Sequence, residues 1–333
     1  MRTLVVGPSW IGDAVLSHSL IQRLVQLDPG GSVDVLAPAW ALPIYRRMPE
    51  VRQAIALPFG HGDLELGKRR AFARSLAPYD RAVVLPNSWK SALVPWHAAI
   101  PVRTGYRGEM RYGLLNDLRA LDERALPLIV ERYAALAQPA GEALRRPVPR
   151  PRLAADAASA AQTLRRLGLA SDRPAAAFAP GAEYGPAKRW PARHFATLAR
   201  TLGGRGWQVW LLGSGADAPI AASIREAAGE ACVDLAGRTS LDEAIDLLAS
   251  AAQVVTNDSG LMHVAAALDR PTAALFGSSS PEFTPPLSPR ARVLSLRLAC
   301  SPCFARVCPL GHTDCLEKLD PRAVLEAMEE NAS

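Results

Sequence analysis

Ala175-Ala-Ala-Phe-Ala179, followed without a break by Pro180-Gly-Ala-Glu-Tyr-Gly-Pro-Ala-Lys188-Arg-Trp-Pro191, reads as a buried strand, a long turn and the start of a helix. The first five residues are uniformly apolar, as a strand covered on both faces requires. Two glycines and two prolines then stop the strand, and Pro191 suits a first helical position because the N–H it lacks has no helical partner there. The same grammar recurs downstream. Strand candidates at 208–212, 233–235, 253–256 and 272–276 alternate with helix-compatible segments, and Ser240 with Glu243 forms a capping box ahead of the helical stretch at 244–248. Upstream, strand candidates at 3–6, 33–36, 54–57 and 81–85 alternate with helical stretches after Asp13, at 64–76 and at 129–137. Strands and helices in alternation build parallel sheets wrapped by helices. Between the halves, Arg146-Pro-Val-Pro-Arg-Pro151 forbids a helix and favours an extended connector. The expected fold class is α/β, with two Rossmann-like, doubly wound domains at 1–150 and 151–333.

Composition agrees with that size. The chain has 333 residues, 49% hydrophobic and 21% charged, and its mean hydropathy is +0.04, which excludes fibrous and disordered classes. The richest apolar run, 91–102, is broken by Pro95, His97 and Pro101, short of the roughly 18 residues of a membrane span. The first residues are too short and too polar an apolar stretch for a secretory signal, so the expected location is cytoplasmic. The net charge of +6 is uneven: residues 1–150 carry 20 Lys and Arg against 13 Asp and Glu, the remainder 18 against 19. Lys68, Arg69, Arg70, Arg74, Arg103, Arg107, Arg111 and Arg119 form either a solvated Arg-rich face or an attractor for an anionic partner, whether phosphorylated glycolipid or acidic bilayer. Nucleic acid is the weakest partner, because no basic stripe is interleaved with aromatics.

The loops after strands are where chemistry is expected in such sheets. Gly7-Pro-Ser-Trp-Ile-Gly12-Asp13-Ala14 has P-loop glycine spacing, but Asp13 and Ala14 stand where that motif needs Lys and Ser or Thr. What remains is a glycine turn delivering a carboxylate to a helix start, either as a proton acceptor or as a plain N-cap. In the loop at 180–191, Lys188 could neutralise a diphosphate and Gly181 lets backbone approach closely. Leu212-Gly-Ser-Gly-Ala-Asp217 could place Asp217 on a ribose diol. Thr256-Asn-Asp258-Ser259-Gly260-Leu-Met-His263 joins a strand to a helix. Backbone donors of Ser259 and Gly260 suit phosphate oxygens there, Asp258 suits neutral hydroxyls, and His263 is a packing or supporting residue. A hydrolase triad is disfavoured, since no Gly-x-Ser-x-Gly elbow surrounds Ser259.

These segments, in this order, resemble the ADP-heptose:lipopolysaccharide heptosyltransferases of glycosyltransferase family 9, and within them the type II branch. The likeness runs through 7–17, 180–191, 235–239, 256–267, 276–279 and 300–316. It implies a GT-B fold whose two domains face a central cleft, with acceptor in the first and ADP-heptose in the second. Heptose would pass with inversion, without cofactor or metal, to the first heptose of the lipopolysaccharide inner core. The resemblance makes Asp13 the general base, with Gly12 beside it, and Lys188 the diphosphate partner. It puts Asp258 on the heptose, Ser259 and Gly260 on the phosphates, and Thr239 and Asp217 near adenine and ribose. It also implies a heptosylated, Kdo-containing lipid A acceptor, peripheral attachment to the anionic face of the inner membrane, and a last helix able to pack back on the first domain. Types I and III, a nucleotide-sugar 2-epimerase and a non-catalytic binding module remain alternatives. No Asp-x-Asp occurs in the chain; the nearest imitation is Asp63-Leu-Glu65.

Four cysteines fall at Cys300-x2-Cys303-x4-Cys308-x6-Cys315, while Cys232 stands apart as a small core residue. Disulfides are disfavoured in the cytoplasm. Structural thiols and a structural metal site remain equal readings of the four, and the spacing matches no standard knuckle.

Overall fold

The computed structural model describes residues 1–60 and 63–332. Contacts divide the chain into two compact units, Met1–Leu153 and Ala154–Ser333. The first unit runs β1 (Arg2–Val6), α1 (Ile11–Leu16), α2 (His18–Leu27), β2 (Ser32–Pro38), α3 (Leu42–Arg46), β3 (Val51–Leu57), α4 (Leu66–Ser75), β4 (Arg81–Val84), α5 (Leu93–His97), β5 (Val102–Tyr106), β6 (Asp117–Arg119) and α6 (Ile129–Ala135). Its sheet is parallel, in the order β3-β2-β1-β4-β5-β6. Central β1 pairs Leu4 with Asp34 on one side and Ala82 on the other. Leu4, Val6, Leu36, Val84 and Ile100 share one core.

The second unit runs α7 (Ala157–Leu167), β7 (Ala175–Ala179), α8 (Ala192–Gly204), β8 (Gln208–Leu211), α9 (Ala218–Ala228), β9 (Val233–Asp234), α10 (Leu241–Ser250), β10 (Gln253–Asn257), α11 (Gly260–Ala267), β11 (Thr272–Leu275), β12 (Ala291–Leu294), α12 (Asp314–Glu317) and α13 (Pro321–Ala332). Its parallel sheet has the order β12-β11-β10-β7-β8-β9, the arrangement of the first sheet read from the other edge. Both are doubly wound Rossmann-like sheets. Phe178, Trp190, Phe195, Leu211, Val255 and Leu275 form the core, with Leu316, Val324 and Met328 contributed by the C-terminal helices and Cys232 buried among them. Helix α13 accordingly lies against α8, β11 and β12 of its own unit. Burial raises the Cys232 thiol to about 11, so it stays protonated. Among the described residues no helix is long and apolar enough to cross a membrane.

Several local expectations change. Helix α1 begins at Ile11, with Trp10 in the N-cap position and no side-chain cap, so Asp13 is the third helical residue and not the N-cap. Pro191 occupies the N-cap position of α8 instead of its first turn. The Ser240 box forms as expected: the Ser240 hydroxyl accepts from Glu243 N at 3.2 Å, and Glu243 accepts from Ser240 N at 2.8 Å.

The basic face of the first unit also shrinks. Arg69 and Arg111 are buried. Arg69 donates to the carbonyls of Leu64 and Asp63 and stacks over Phe59, and Arg111 donates to the carbonyls of Tyr106 and Pro86. Arg103 holds Leu114 O, Arg119 pairs with Asp117, and Lys68 pairs with Glu65. Half of the set is therefore buried or half-buried; Lys68, Arg70, Arg74 and Arg107 are its exposed members.

The proline connector is bound, not loose. Ser19 Oγ donates to Pro149 O at 2.6 Å, Gln22 to Arg150 O at 2.8 Å, and buried His18 accepts from Arg152 N at 3.0 Å through Nδ1. Helix α2, which continues α1 past Ser17, thus carries the connector along its length.

Candidate functional site

Where strand order reverses, the loops leaving two adjacent strands diverge and open a crevice at the carboxyl edge. In the first unit that point lies between β1 and β4; in the second, between β7 and β10.

At the first point the chain leaves β1 through Gly7, whose N–H still reaches Leu36 O at 2.9 Å, and enters α1, placing Gly12 and half-buried Asp13 in its first turn. Two buried phenols lie close to Asp13. Burial pushes Tyr45 well above the ordinary tyrosine range, with the Asp13 carboxylate adding to the shift, and Tyr133 is affected in the same way. Both remain neutral at any physiological pH. Around them the carboxyl edge carries exposed Trp10, Trp40, Met110 and Tyr112, in loops following β1, β2 and β5.

At the second point the loop after β7 and the turn after β10 meet. Lys188 Nζ lies 2.5 Å from Asp258 Oδ2, with side chains 17% and 6% exposed, so the pair is largely shielded from solvent. The two residues expected to serve diphosphate and sugar separately therefore hold each other. Asn257, at the end of β10, fixes both ends of the Lys188 loop: its Oδ1 accepts from Trp190 N at 3.0 Å and its Nδ2 donates to Pro180 O at 2.7 Å. Trp190 is fully buried and donates from its indole to Leu319 O at 2.9 Å. Ser259 is the N-cap residue of α11 and Gly260 its first residue, with Ser259 Oγ 3.2 Å from Thr256 Oγ1.

Gly181 is required by close approach, because a Cβ there would overlap the Asp217 carboxylate. Asp217 Oδ2 accepts from both N and Oγ of Ser214 at 2.9 Å, so this residue closes its own turn while bracing the Lys188 loop. Thr239 lies in the bend between β9 and α10.

Five residues of this edge were not singled out in the sequence. Besides Asn257 they are Tyr184 and Arg306, whose ring and guanidinium stack: Lys188 Nζ is 4.9 Å and Arg306 Cζ 5.0 Å from the Tyr184 ring centre. The others are Ser278 and Ser279, just past β11, whose buried hydroxyls lack any hydrogen-bond partner, as does His263 Nδ1. Most buried polar atoms have a partner, so these three mark the edge as polar and unfilled by the protein's own groups. The Gly277-Ser-Ser-Ser280 run directly after a strand was the available signal; nothing local marked Arg306, which is far away in sequence.

Burial lowers the His263 imidazole from 6.5 to about 4, Asp258 opposing the shift and Lys188 adding to it. The folded protein keeps this ring neutral while the unfolded chain protonates it, so stability should fall as pH drops from 6.5 toward 4 and level off below. The loss amounts to about 3 kcal/mol. Urea midpoints across that range should show the loss in the natural protein, and a much flatter profile in His263→Gln.

Residues 69–314 match the sequence profile of glycosyltransferase family 9 (heptosyltransferase). Lipopolysaccharide heptosyltransferase 2 of Escherichia coli (strain K12) is 50% identical, over 98% of this chain and 97% of its own length. Lipooligosaccharide heptosyltransferase 2 of Haemophilus influenzae is 49% identical over 89% of each. Among solved structures, the E. coli ADP-heptose lps heptosyltransferase II superposes with a TM-score of 0.90 at 47% identity, covering 100% of this chain and 98% of that one.

Proposed function

The chain belongs to glycosyltransferase family 9, the heptosyltransferases, and from that premise we propose that it moves L-glycero-D-manno-heptose from ADP-heptose to the first heptose of the lipopolysaccharide inner core, with inversion. The observation that carries this reading is the Lys188–Asp258 pair at the strand-order reversal of the second sheet. Displacing ADP from a sugar builds negative charge on the departing diphosphate, and a shielded lysine beside a helix start answers that charge.

In this mechanism the diphosphate takes the place of Asp258 at Lys188, while Ser259 and Gly260 donate to phosphate oxygens. Asp258, released, accepts from heptose hydroxyls. The Tyr184 ring contacts both Lys188 and Arg306. Asp217 and Thr239 border the adenosine, Asp217 through the turn it closes. Asp13 takes the proton from the acceptor hydroxyl as that oxygen attacks the anomeric carbon, and the C–O bond to diphosphate breaks. The neighbouring Tyr45 and Tyr133 cannot compete as bases, because burial holds them protonated. His263, held neutral by burial, adds no charge beside the pair.

The acceptor, a heptosylated Kdo-lipid A, is assigned to the aromatic carboxyl edge of the first unit, where Trp10 and Trp40 suit sugar faces. Peripheral attachment to an anionic bilayer is assigned to α4 and α5. These pack together and bring exposed Arg70, Arg74 and Trp96 into one neighbourhood, both arginines acting on His97.

Acceptor-dependent ADP release tests the assignment. Release is expected with monoheptosylated Kdo-lipid A and not with the heptose-free acceptor. Release with the heptose-free acceptor alone would move the protein to type I, and donor consumption without any acceptor would overturn glycosyl transfer altogether.

A further inference from the structure

Between β12 and α12 the chain runs through residues 295–313 without helix or strand. Its apolar side chains do not anchor it: Phe304, Val307 and Leu310 are 54%, 68% and 61% exposed. The segment is nevertheless stitched into the donor side of the second unit. Tyr184 Oη donates to Phe304 O at 2.7 Å, Ala187 N to Arg306 O at 3.1 Å, Phe304 N to Ser278 O at 2.6 Å and Ser301 Oγ to Gly277 O at 2.5 Å. At Gly185 the approach is so close that a Cβ would overlap the Arg306 carbonyl. The Lys188 loop thus leans on a segment with no core of its own.

The four clustered cysteines supply what the core does not. Cys300, Cys303 and Cys308 from the segment and Cys315 from α12 line one cavity of about 20 Å³, shared with His312, Ser278 and Ala187. That volume is enough for a single ion or water. Among the described residues no three His, Cys, Asp or Glu side chains already meet at ligating distance; closing the site takes rotation of cysteine side chains within a cavity that all four already line.

We propose that Cys300, Cys303, Cys308 and Cys315 bind one sulfur-seeking divalent cation, zinc or ferrous iron, as a tetrahedral four-thiolate clip. Binding replaces up to four S–H bonds by metal–sulfur bonds and releases the protons to solvent, with no change of oxidation state. The clip fixes residues 300–315, and through Phe304 O and Arg306 O it fixes the loop bearing Lys188. It takes no part in the displacement itself. The inference stands independently of which sugar the enzyme transfers.

Elemental analysis of untagged protein, purified anaerobically with reductant, tests it. About one zinc or iron per chain is expected. Iron announces itself by thiolate-to-metal colour, zinc by a colourless protein that develops the visible bands of a tetrahedral thiolate site after exchange with cobalt. Cys303→Ser and Cys308→Ser should each lose the metal and melt at lower temperature, whereas Cys232→Ala should keep it. Should the serine variants fail to fold, the cobalt spectrum of the natural protein decides. Less than about a tenth of an equivalent of either metal, with four thiols titrating freely in the native state, overturns the proposal. So do disulfides among the four in anaerobically purified protein, or unchanged metal content in the serine variants.

Discussion

Asp13→Asn is expected to lower turnover at saturating donor and acceptor by about 10²–10⁴-fold, the range of a lost general base, while ADP-heptose affinity changes little. The split follows from where the residue sits. Asp13 belongs to the switch point of the first sheet, and the residues assigned to the donor belong to the second. Asparagine preserves the shape and the place in the first turn of α1 but cannot take a proton. Single-turnover rates with bound donor separate the two quantities. A variant that binds donor poorly but reacts at the natural rate would assign Asp13 to binding instead.

Lys188→Ala should damage both binding and rate. Donor affinity should fall because the diphosphate loses its cation, and turnover by about 10²-fold or more because charge on the leaving group is stabilised less. The fold should suffer as well. Removing one member of a shielded ion pair leaves the other uncompensated, at a cost of about 3–5 kcal/mol, and Asp258 is only 6% exposed. The double variant Lys188→Met with Asp258→Leu separates these effects: it should regain most of the thermal stability and none of the activity. Recovery of activity in the double variant would remove Lys188 from the chemistry.

The central strands were legible because each carries a run of buried, mostly apolar residues. Ala175–Ala179 is buried at every position, and such a run between turn residues has few other readings. The strands that escaped are at or near sheet edges. Val102–Tyr106 includes Arg103 and Thr104, Asp117–Arg119 has three residues, and Ala291–Leu294 has its middle positions exposed. None of these presents a fully apolar run.

Motif and strand end coincide at Asp13, Lys188, Asp258 and Ser259, and the structure puts each of these candidates in a loop or helix start beside a strand-order reversal. What spacing could not show is pairing. Nothing in the sequence says that Lys188 and Asp258, seventy residues apart, neutralise each other, or that Asp217 spends one oxygen on Ser214. The arginines of the first half illustrate the opposite error. Counted as surface charge they suggest a broad anionic docking face, yet Arg69 and Arg111 are buried props for backbone carbonyls.

The account rests on a single displacement at the anomeric carbon, with Asp13 as the base and Lys188 on the leaving diphosphate. The anomeric configuration of the product, read by NMR after one heptose has been added to a monoheptosylated acceptor, tests this most directly. A new linkage of configuration opposite to that in ADP-heptose is the predicted result. A linkage that keeps the donor's configuration would contradict it.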